Sequence, residues 1–310
     1  MKTLLLASLA SLLVATAVPA QGRNIAERLG HPRDAKLLIL HADDLGVAHS
    51  ENAASFDALE KGGINSASIM MTTPWVTETA EYQKRNPNAD FGLHLVMTSE
   101  WETYRWGGVA PNDKTKSLHD PDGTMPREVR TVATRAKIDE AERELRAQID
   151  RAYAMGLKPT HVDSHMGALF STPELFATYA KVARSYKLPF LAFIGAMNPA
   201  ARAALQPGDI FPDTVFDVGD TPKEGWKQFY LDALKNLKPG LTEILFHLGH
   251  DDAELKAITV NHEPYGAAWR QRDYDVVTSP EFKQALVDNK IVLVTWREIQ
   301  KAMYGTGATP

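Results

Sequence analysis

The stretch Lys36-Leu37-Leu38-Ile39-Leu40-His41-Ala42-Asp43-Asp44-Leu45-Gly46 decides the fold of this chain. Its apolar run predicts a strand buried on both faces, the kind found in parallel sheets. The strand leads directly into two adjacent carboxylates, Asp43 and Asp44, at the end where α/β folds build their sites. Two adjacent like charges are unfavourable unless a cation or a proton relieves them. The sequence therefore predicts a metal at this strand end.

Apolar runs and helical patterns alternate along the rest of the chain. The predicted strands are Leu37–His41, Ile64–Met71, Asp90–Thr98, Thr160–His165, Phe190–Ile194, Thr214–Val218, Glu243–Leu248 and Ile291–Thr295. The predicted helices are Val47–Lys61, Thr77–Arg85, Arg127–Gly156, Thr172–Tyr186, Pro222–Leu237 and Pro280–Asp288, and the long loops are Glu100–Pro126 and Gly249–Val277. Because a strand followed by a helix recurs about seven or eight times, we predict a parallel α/β fold, a barrel in one domain.

Composition excludes several kinds of site and partner. The chain has 310 residues, of which 44% are apolar, and this is enough for one large domain. Its net charge is -5 and it has no basic run, which argues against a nucleic-acid partner. It has no Cys, so disulfides and thiolate ligands are excluded and a metal must be held by His, Asp or Glu.

The N-terminus has the pattern of a secretory signal peptide. Met1-Lys2 gives a basic start, Leu4 to Val18 is apolar, and Val18-Pro19-Ala20 supplies a cleavage site. A membrane anchor is the alternative, but the apolar run is shorter than about 18 residues and small residues follow it. We therefore expect a periplasmic or secreted protein that has no membrane contact after cleavage. The predicted division is a signal peptide over 1–20, a lead-in over 21–35, the barrel over 36–304 and a tail over 305–310.

Ionisable side chains recur at the ends of four predicted strands. They are Asp43 and Asp44, His94, His161 and His165, and His247. Each of these histidines alone is more often a structural residue than a ligand. Because the carboxyl ends of parallel strands meet at one edge of the sheet, we expect the whole set to converge in one basin.

Such a set has defined chemistry. One or two carboxylates and two neutral imidazoles suit Zn, Mn, Fe, Co or Ni, with open positions for water and substrate. A second Asp could take a proton from the water, and a His on the far side could protonate the leaving group. Adjacent residues of an extended strand point to opposite sides, so Asp43 and Asp44 are not expected to bind one ion equivalently. The residues together predict metal-assisted hydrolysis of an amide or ester.

Four blocks of the sequence resemble the YdjC family of carbohydrate deacetylases. They are His41-Ala42-Asp43-Asp44-Leu45-Gly46, Gly92-Leu93-His94-Leu95, Pro159-Thr160-His161-Val162-Asp163-Ser164-His165 and Arg270-Gln271-Arg272-Asp273-Tyr274-Asp275. The resemblance spans roughly residues 36 to 300, and the family includes chitooligosaccharide and hopanoid-biosynthesis deacetylases. It implies a distorted (β/α) barrel that resembles polysaccharide deacetylases, with a divalent metal held by one Asp and two His.

The resemblance also assigns roles to individual residues. Those it implies as metal ligands are Asp44, His94 and His165, with Zn, Mg, Mn, Co or Ni as the candidate ion. Those it implies as catalytic groups are Asp43 as base, His247 as acid, and Arg270, which would orient a carboxylate such as Asp43. Family members often continue the third block with further His, whereas this chain continues with Met166-Gly167-Ala168-Leu169-Phe170. The signal peptide is a second departure, because intracellular chitobiose-handling members lack one.

We therefore expect a metal-dependent enzyme that deacetylates an N-acetylated sugar or oligosaccharide, with metal-activated water attacking the acetyl carbonyl. One alternative is another metallohydrolase on the same barrel, an esterase or amidase, and a second is a non-catalytic glycan-binding protein. The expected partner is a carbohydrate, and a homodimer is considered as a further option.

Several further residues have two possible roles each. His161 could support the metal site or be a structural residue at a strand end. Trp101, Tyr104 and Trp106 could stack on sugar faces or pack the loop that carries them. The pair Asp251-Asp252 is interpreted as a helix start rather than a metal site.

Overall fold

A computed structural model describes residues 24–193, 197–219 and 221–305 of the chain. The predicted signal peptide lies outside the described residues, as do the last five residues of the predicted tail. A short helix, Ile25–Arg28, occupies part of the predicted lead-in. Among the described residues, every helix is too short or too polar to cross a membrane.

Among the described residues, seven strands form one parallel sheet. They are β1 (Lys36–Leu45), β2 (Ser66–Ile69), β3 (Phe91–Leu95), β4 (Val162–Ser164), β5 (Thr214–Phe216), β6 (Gly240–Phe246) and β7 (Val292–Leu293). Their order is β4-β3-β2-β1-β6-β5, and β7 pairs with β1. The predicted single-domain (β/α) barrel is confirmed. Among the described residues no strand pairing joins Phe190 to β5, so the barrel is open on that side, as the predicted distortion implies.

The edge of β1 that faces β2 is shared between two strands. Leu37 and Leu38 pair with β7, and the pairing with β2 begins at His41. Asn65 lies at the division, because its side chain accepts from Leu40 N and donates to Val294 O, both at 2.8 Å. This arrangement brings β7 against the amino-terminal half of β1, at the end of the barrel opposite the two carboxylates.

Twelve helices cover the described part of the chain. They are α1 (Ile25–Arg28), α2 (His49–Glu60), α3 (Val76–Arg85), α4 (Val129–Arg135), α5 (Ile138–Ala154), α6 (Pro173–Ser185), α7 (Pro199–Arg202), α8 (Trp226–Asn236), α9 (Ala253–Ile258), α10 (Ala267–Val277), α11 (Pro280–Asp288) and α12 (Trp296–Tyr304).

Three sequence-based element predictions are wrong. The predicted helix Arg127–Gly156 is two helices, because the backbone is extended at Ala136 and Lys137. The predicted loop Gly249–Val277 contains α9 and α10, and Asp252 caps α9 by accepting from Leu255 N. That cap agrees with the helix start expected at this acidic pair. Of the predicted strand Phe190–Ile194, the described part makes a single bridge from Phe190 to Val162.

The alternation of β1 divides the barrel into an outer and an inner side. Leu38, Leu40 and Ala42 pack in the main core between the sheet and the helices, whereas Leu37 and Ile39 belong to a separate apolar cluster. Side chains two apart on a strand share a face, so His41 and Asp43 continue the row that Leu37 and Ile39 begin. Along this face of β1 the side chains are therefore apolar at the amino end of the strand and ionisable at its carboxyl end.

Candidate active site

The side chains of Asp43 and Asp44 line the same cavity. The pairing of β1 with β2 shifts register between Ala42 and Leu45, and Asp44 has a φ of 69°. Because this bulge takes Asp44 out of the extended conformation, the expectation that the two acids face opposite sides is wrong. His94 contacts both: its Nδ1 lies 3.7 Å from Asp43 Oδ1 and its Nε2 lies 3.3 Å from Asp44 Oδ1.

The three residues expected as metal ligands lie together. Asp44 Oδ1 is 3.3 Å from His94 Nε2 and 3.3 Å from His165 Nδ1, and all three side chains are buried. Asp44 Oδ1 accepts no hydrogen bond from the described residues. A buried, unpartnered carboxylate oxygen facing two imidazole nitrogens is costly without a cation, and this donor set suits a divalent metal. The residues present therefore fit such an ion.

Each of the two histidines is held by a carboxylate on its other nitrogen. His94 Nδ1 lies 2.6 Å from Asp163 Oδ1, and His165 Nε2 lies 2.9 Å from Glu100 Oε2. Donation of these N–H groups fixes both rings and leaves the nitrogens that face Asp44 free to bind a metal. Burial disfavours ionised Asp163, but the neighbouring imidazoles of His94 and His41 hold its pKa well below the usual range.

Sequence reasoning missed both of these supporting carboxylates. Asp163 lies on β4, two residues before His165, and sequence reasoning gave it no role in the site. Glu100 stands five residues after β3, and its contact with His165 depends on the path of the loop.

Arg270 orients Asp44 and does not contact Asp43, so the partner expected for Arg270 is corrected. Its Nη2 donates to Asp44 Oδ2 at 2.8 Å, and its Nη1 lies 3.2 Å from Glu51 Oε1. The bulge turns Asp44 toward α10, and this is why the guanidinium reaches the second acid of the pair. Burial raises the pKa of Glu51 well above its usual value, although Arg270 opposes the shift. Glu51, on α2, carried no signal in the sequence.

His247 faces Asp43 across the cavity. It follows β6 directly, and its Nε2 lies 3.7 Å from Asp43 Oδ2. Its backbone N–H donates to Asp273 Oδ2 at 3.0 Å, and its ring packs edge-on against Tyr265 with centroids 4.7 Å apart. Burial lowers the pKa of His247. The residues expected as base and acid are thus brought together beside the three expected ligands.

A cavity of about 360 Å³ opens above these groups. Its floor carries Asp43, Asp44, His94, His165 and His247, and its walls include Met166, Gly167, Phe170, Phe193, Asp217, His262 and Tyr265. Met166, Gly167 and Phe170 belong to the segment that departs from the resembled family pattern, and they form part of the wall. Tyr265 donates to Asp217 Oδ2 at 2.9 Å. The volume lies at the small end of the range of about 300–1,000 Å³ that is typical of ligand pockets.

The aromatic residues of the loop after β3 pack against one another. Trp101 lies 5.6 Å from Trp106 and 6.0 Å from Tyr104, measured between ring centroids. Trp106 Nε1 donates to Thr98 O, Tyr104 donates to Val47 O, and the three rings are absent from the cavity lining. Of the two readings, the structure supports a packed cluster behind Arg270 and His165 rather than a sugar-stacking surface.

His161 lies beneath the site, inside the barrel. Its ring stacks on Trp296 with centroids 4.8 Å apart, and its Nδ1 lies 3.0 Å from Thr160 Oγ1. A Cβ on Gly92 would approach the ring to 2.4 Å, so this position requires glycine. Nε2 of His161 is 3.9 Å from Asp163 Oδ2, too far for a hydrogen bond. His161 is therefore a packing residue of the barrel interior and is in no contact with the three expected ligands.

Fold and site together define a parallel (β/α) barrel with an Asp-His-His cluster at the carboxyl end of its strands. The model of the YdjC-like protein family matches residues 37–288, and the chain belongs to this family.

Relatives align along most of the chain. A carbohydrate deacetylase from Thermus thermophilus is 32% identical over 291 residues, which cover 91% of this chain and 100% of the relative. A carbohydrate deacetylase from Thermoanaerobacter pseudethanolicus is 27% identical over 84% of this chain and 98% of its own length. A crystal structure from Enterococcus faecalis V583, described as a proposed cellobiose-phosphate cleavage protein, has a TM-score of 0.73 at 23% identity. It covers 86% of this chain and 99% of its own, and it supports the same fold.

Proposed function

We propose that this protein is a metal-dependent carbohydrate deacetylase that hydrolyses the acetamide of an N-acetylated sugar. The observation that carries the proposal is the convergence of Asp44, His94 and His165 beside Asp43 and His247 on one cavity floor. The names of the relatives support the carbohydrate class. The cavity volume supports a substrate the size of a mono- or disaccharide.

The metal would be held by Asp44, His94 and His165, with Zn, Mn, Co, Ni or Mg as the candidate ion. When bound there, it would lower the pKa of a water molecule and polarise the acetyl carbonyl. Arg270 holds the second oxygen of Asp44, so that Oδ1 remains turned toward the two histidines. Asp163 and Glu100 keep both imidazoles in the tautomer that exposes the ligating nitrogen.

The remaining groups move protons. Asp43 accepts a proton from the attacking water on Oδ2, the oxygen that faces the cavity and His247. His247 receives that proton on Nε2 and delivers it to the leaving nitrogen as the C–N bond breaks. Because burial lowers the pKa of His247, its imidazolium form is a strong proton donor. The products are acetate and the free amino sugar.

The test is an acetate-release assay over N-acetylated mono- and oligosaccharides, performed on protein stripped of metal and reloaded with each candidate ion. We expect release that depends on the ion and is lost in the stripped protein. Activity on simple esters without activity on N-acetyl sugars would favour an esterase on the same barrel. Binding of sugars without release of acetate under any metal would favour a glycan-binding protein.

We further propose that the protein acts outside the cytoplasm, in the periplasm or after secretion. The support is the apolar segment between Leu4 and Val18 and the small residues that follow it. Mass spectrometry of the exported protein should give a mature N-terminus near Gln21. An intact Met1 in the exported protein would contradict this.

A further inference from the structure

His41 is a fully buried histidine surrounded by three carboxylates, and the mechanism above does not use it. Its Nε2 lies 3.2 Å from Asp43 Oδ1 and 3.2 Å from Asp163 Oδ2, and its Nδ1 lies 3.4 Å from Glu243 Oε1. His41 therefore stands below the cavity floor, between the expected base and the carboxylate that holds His94.

The two oxygens of Asp43 have different surroundings. Oδ1 is contacted by His41 Nε2 at 3.2 Å and accepts from Ser68 Oγ at 3.3 Å. Oδ2 faces His247 Nε2 at 3.7 Å. One oxygen is thus fixed from below, and the other remains available to the attacking water. Arg270, which was expected to orient Asp43, binds Asp44 instead.

His41 is also placed to carry a positive charge. Burial opposes that charge, but hydrogen bonds to Asp163 and Asp43 and the charge of Glu243 outweigh it and raise the pKa of His41 to about 10. With both ring nitrogens protonated, Nδ1 donates to Ser66 Oγ at 3.1 Å and Nε2 donates to Ser68 Oγ at 3.1 Å. Nε2 also lies 3.2 Å from both Asp43 Oδ1 and Asp163 Oδ2. A charged donor makes shorter and stronger hydrogen bonds than a neutral one.

We propose that His41 is a positioning residue that holds Asp43 in line with the attacking water and ties it to Asp163. This inference rests on the proposed function, since it concerns the base of that reaction. The contact between His41 and Asp43 keeps the carboxylate in one orientation. This matters for the rate, because a misplacement of about 1 Å in a catalytic group can cost about 10²-fold. His41 lines no part of the cavity, so its effect falls on the chemical step and not on substrate binding.

The central test compares two substitutions at one position. The amide nitrogen of Gln can reach the place of Nε2, whereas that of Asn reaches only the place of Nδ1. We therefore expect His41→Asn to lower kcat by about 10–10²-fold with KM within about twofold, and His41→Gln to recover a large part of the loss. Metal content should remain close to that of the wild type in both variants.

His161→Asn is the matched control, because His161 is equally buried in the same layer but makes no hydrogen bond to Asp43. Rates are given per metal-loaded, folded molecule. The control should lose thermal stability like His41→Asn while keeping its kcat. A His41→Asn variant with wild-type kcat, or one that loses rate only in proportion to lost metal, would overturn the proposal. So would equal rates for His41→Asn and His41→Gln.

A second measurement does not depend on activity. The ¹⁵N and proton signals of the His41 imidazole should move when Asp43→Asn is introduced. They should stay in place with Asp217→Asn, because Asp217 lines the cavity but is not among the charged groups that contact His41. Unmoved signals in Asp43→Asn would overturn the contact itself. A wild-type protein that releases no acetate from any sugar would instead refute the proposed function, and the imidazole signals would still decide whether His41 holds Asp43.

Discussion

Arg270 Nη2 donates to Asp44 Oδ2 at 2.8 Å, across 226 positions of sequence. The other arm of the guanidinium lies against Glu51, and both Arg270 and Glu51 are buried. Arg270 thus holds Asp44, the expected metal ligand. His41 and Ser68 contact Asp43, the expected base. The two adjacent acids are held by separate sets of partners, so substitutions can separate their roles.

Asp43→Asn should retain the metal and lose the reaction. The amide has the shape of the carboxylate but does not accept the proton, and loss of a general base typically costs about 10²–10⁴-fold in rate. Metal content and kcat are measured on the same preparation. Asp90→Asn is the control, because Asp90 is buried at the opposite end of the sheet, where it accepts from Trp296 N and Arg297 N. A metal-free Asp43→Asn variant would reverse the assignment of the pair.

Asp44→Asn should weaken metal binding first. The substitution removes the charge that His94, His165 and Arg270 all face, so the affinity for the ion falls while the fold is kept. Activity should return in part when excess metal is added. Metal titration followed by the acetate assay measures both effects. Full metal occupancy without activity would contradict the ligand role.

Glu100→Gln should lower metal affinity or activity by about 10–100-fold, the usual effect of losing the carboxylate behind a ligating histidine. The amide no longer presents a charged acceptor to His165 Nε2, so the ring is held less firmly. Glu102→Gln is the matched control in the same loop, since Glu102 is exposed and contacts Asn261. Equal behaviour of the two variants would show that Glu100 does not support the site.

Asp217→Asn should raise the relative rate on sugars that carry a phosphate. The cavity wall presents Asp217, and the nearby cation, Arg270, is already paired with Asp44 and Glu51. Removing this charge reduces repulsion of an anionic group. The measurement is the ratio of kcat/KM for a phosphorylated and an unphosphorylated N-acetyl sugar. Asp213→Asn, at the other end of β5, serves as control and should leave the ratio unchanged.

Stability should fall as pH rises above neutrality, in part through His41. The pKa of His41 in the folded protein is about 10, above the ordinary histidine value of 6.5, because its contacts with Asp163, Asp43 and Glu243 outweigh the effect of burial. Its contribution is therefore complete below about pH 6.5 and is lost as pH rises through about 10. Burial also raises the pKa of Glu243, to about 8, and this group acts in the same direction.

The measurement for this prediction is the free energy of unfolding by urea between pH 6 and about 10, with metal present throughout. The groups around His41 are Asp43, Asp163, Glu243 and His161. The free energy of unfolding should fall less steeply with rising pH in His41→Asn than in the wild type. Parallel curves would show that His41 is neutral in the folded protein.

The sequence was sufficient to predict which strand ends carry the site. Asp43, Asp44, His94, His165 and His247 each follow or end a buried parallel strand, and such strands share a carboxyl edge. The conformation of Asp44 was not predictable, because the bulge arises from the pairing of β1 with β2. Because of this bulge, Arg270 donates to Asp44 and not to Asp43.

Other parts of the site depend on tertiary packing. Glu51 and Glu100 reach Arg270 and His165 only after α2 and the loop after β3 have folded against the barrel. Helix α10 was missed because it buries Arg270 and Asp273 together with apolar residues, and so it lacks a one-sided apolar stripe. Buried charge obscures the helical period from which a helix is normally recognised.

The hydrogen bond from Arg270, on α10, to Asp44 has a consequence for the order in which the protein matures. All three expected ligands are present once the chain has been synthesised through His165, but Arg270 emerges more than a hundred residues later. Until then Asp44 lacks the donor that fixes its second oxygen. If the proposed ion binds at Asp44, His94 and His165, we therefore expect its tight capture only after the chain has been completed through Arg270.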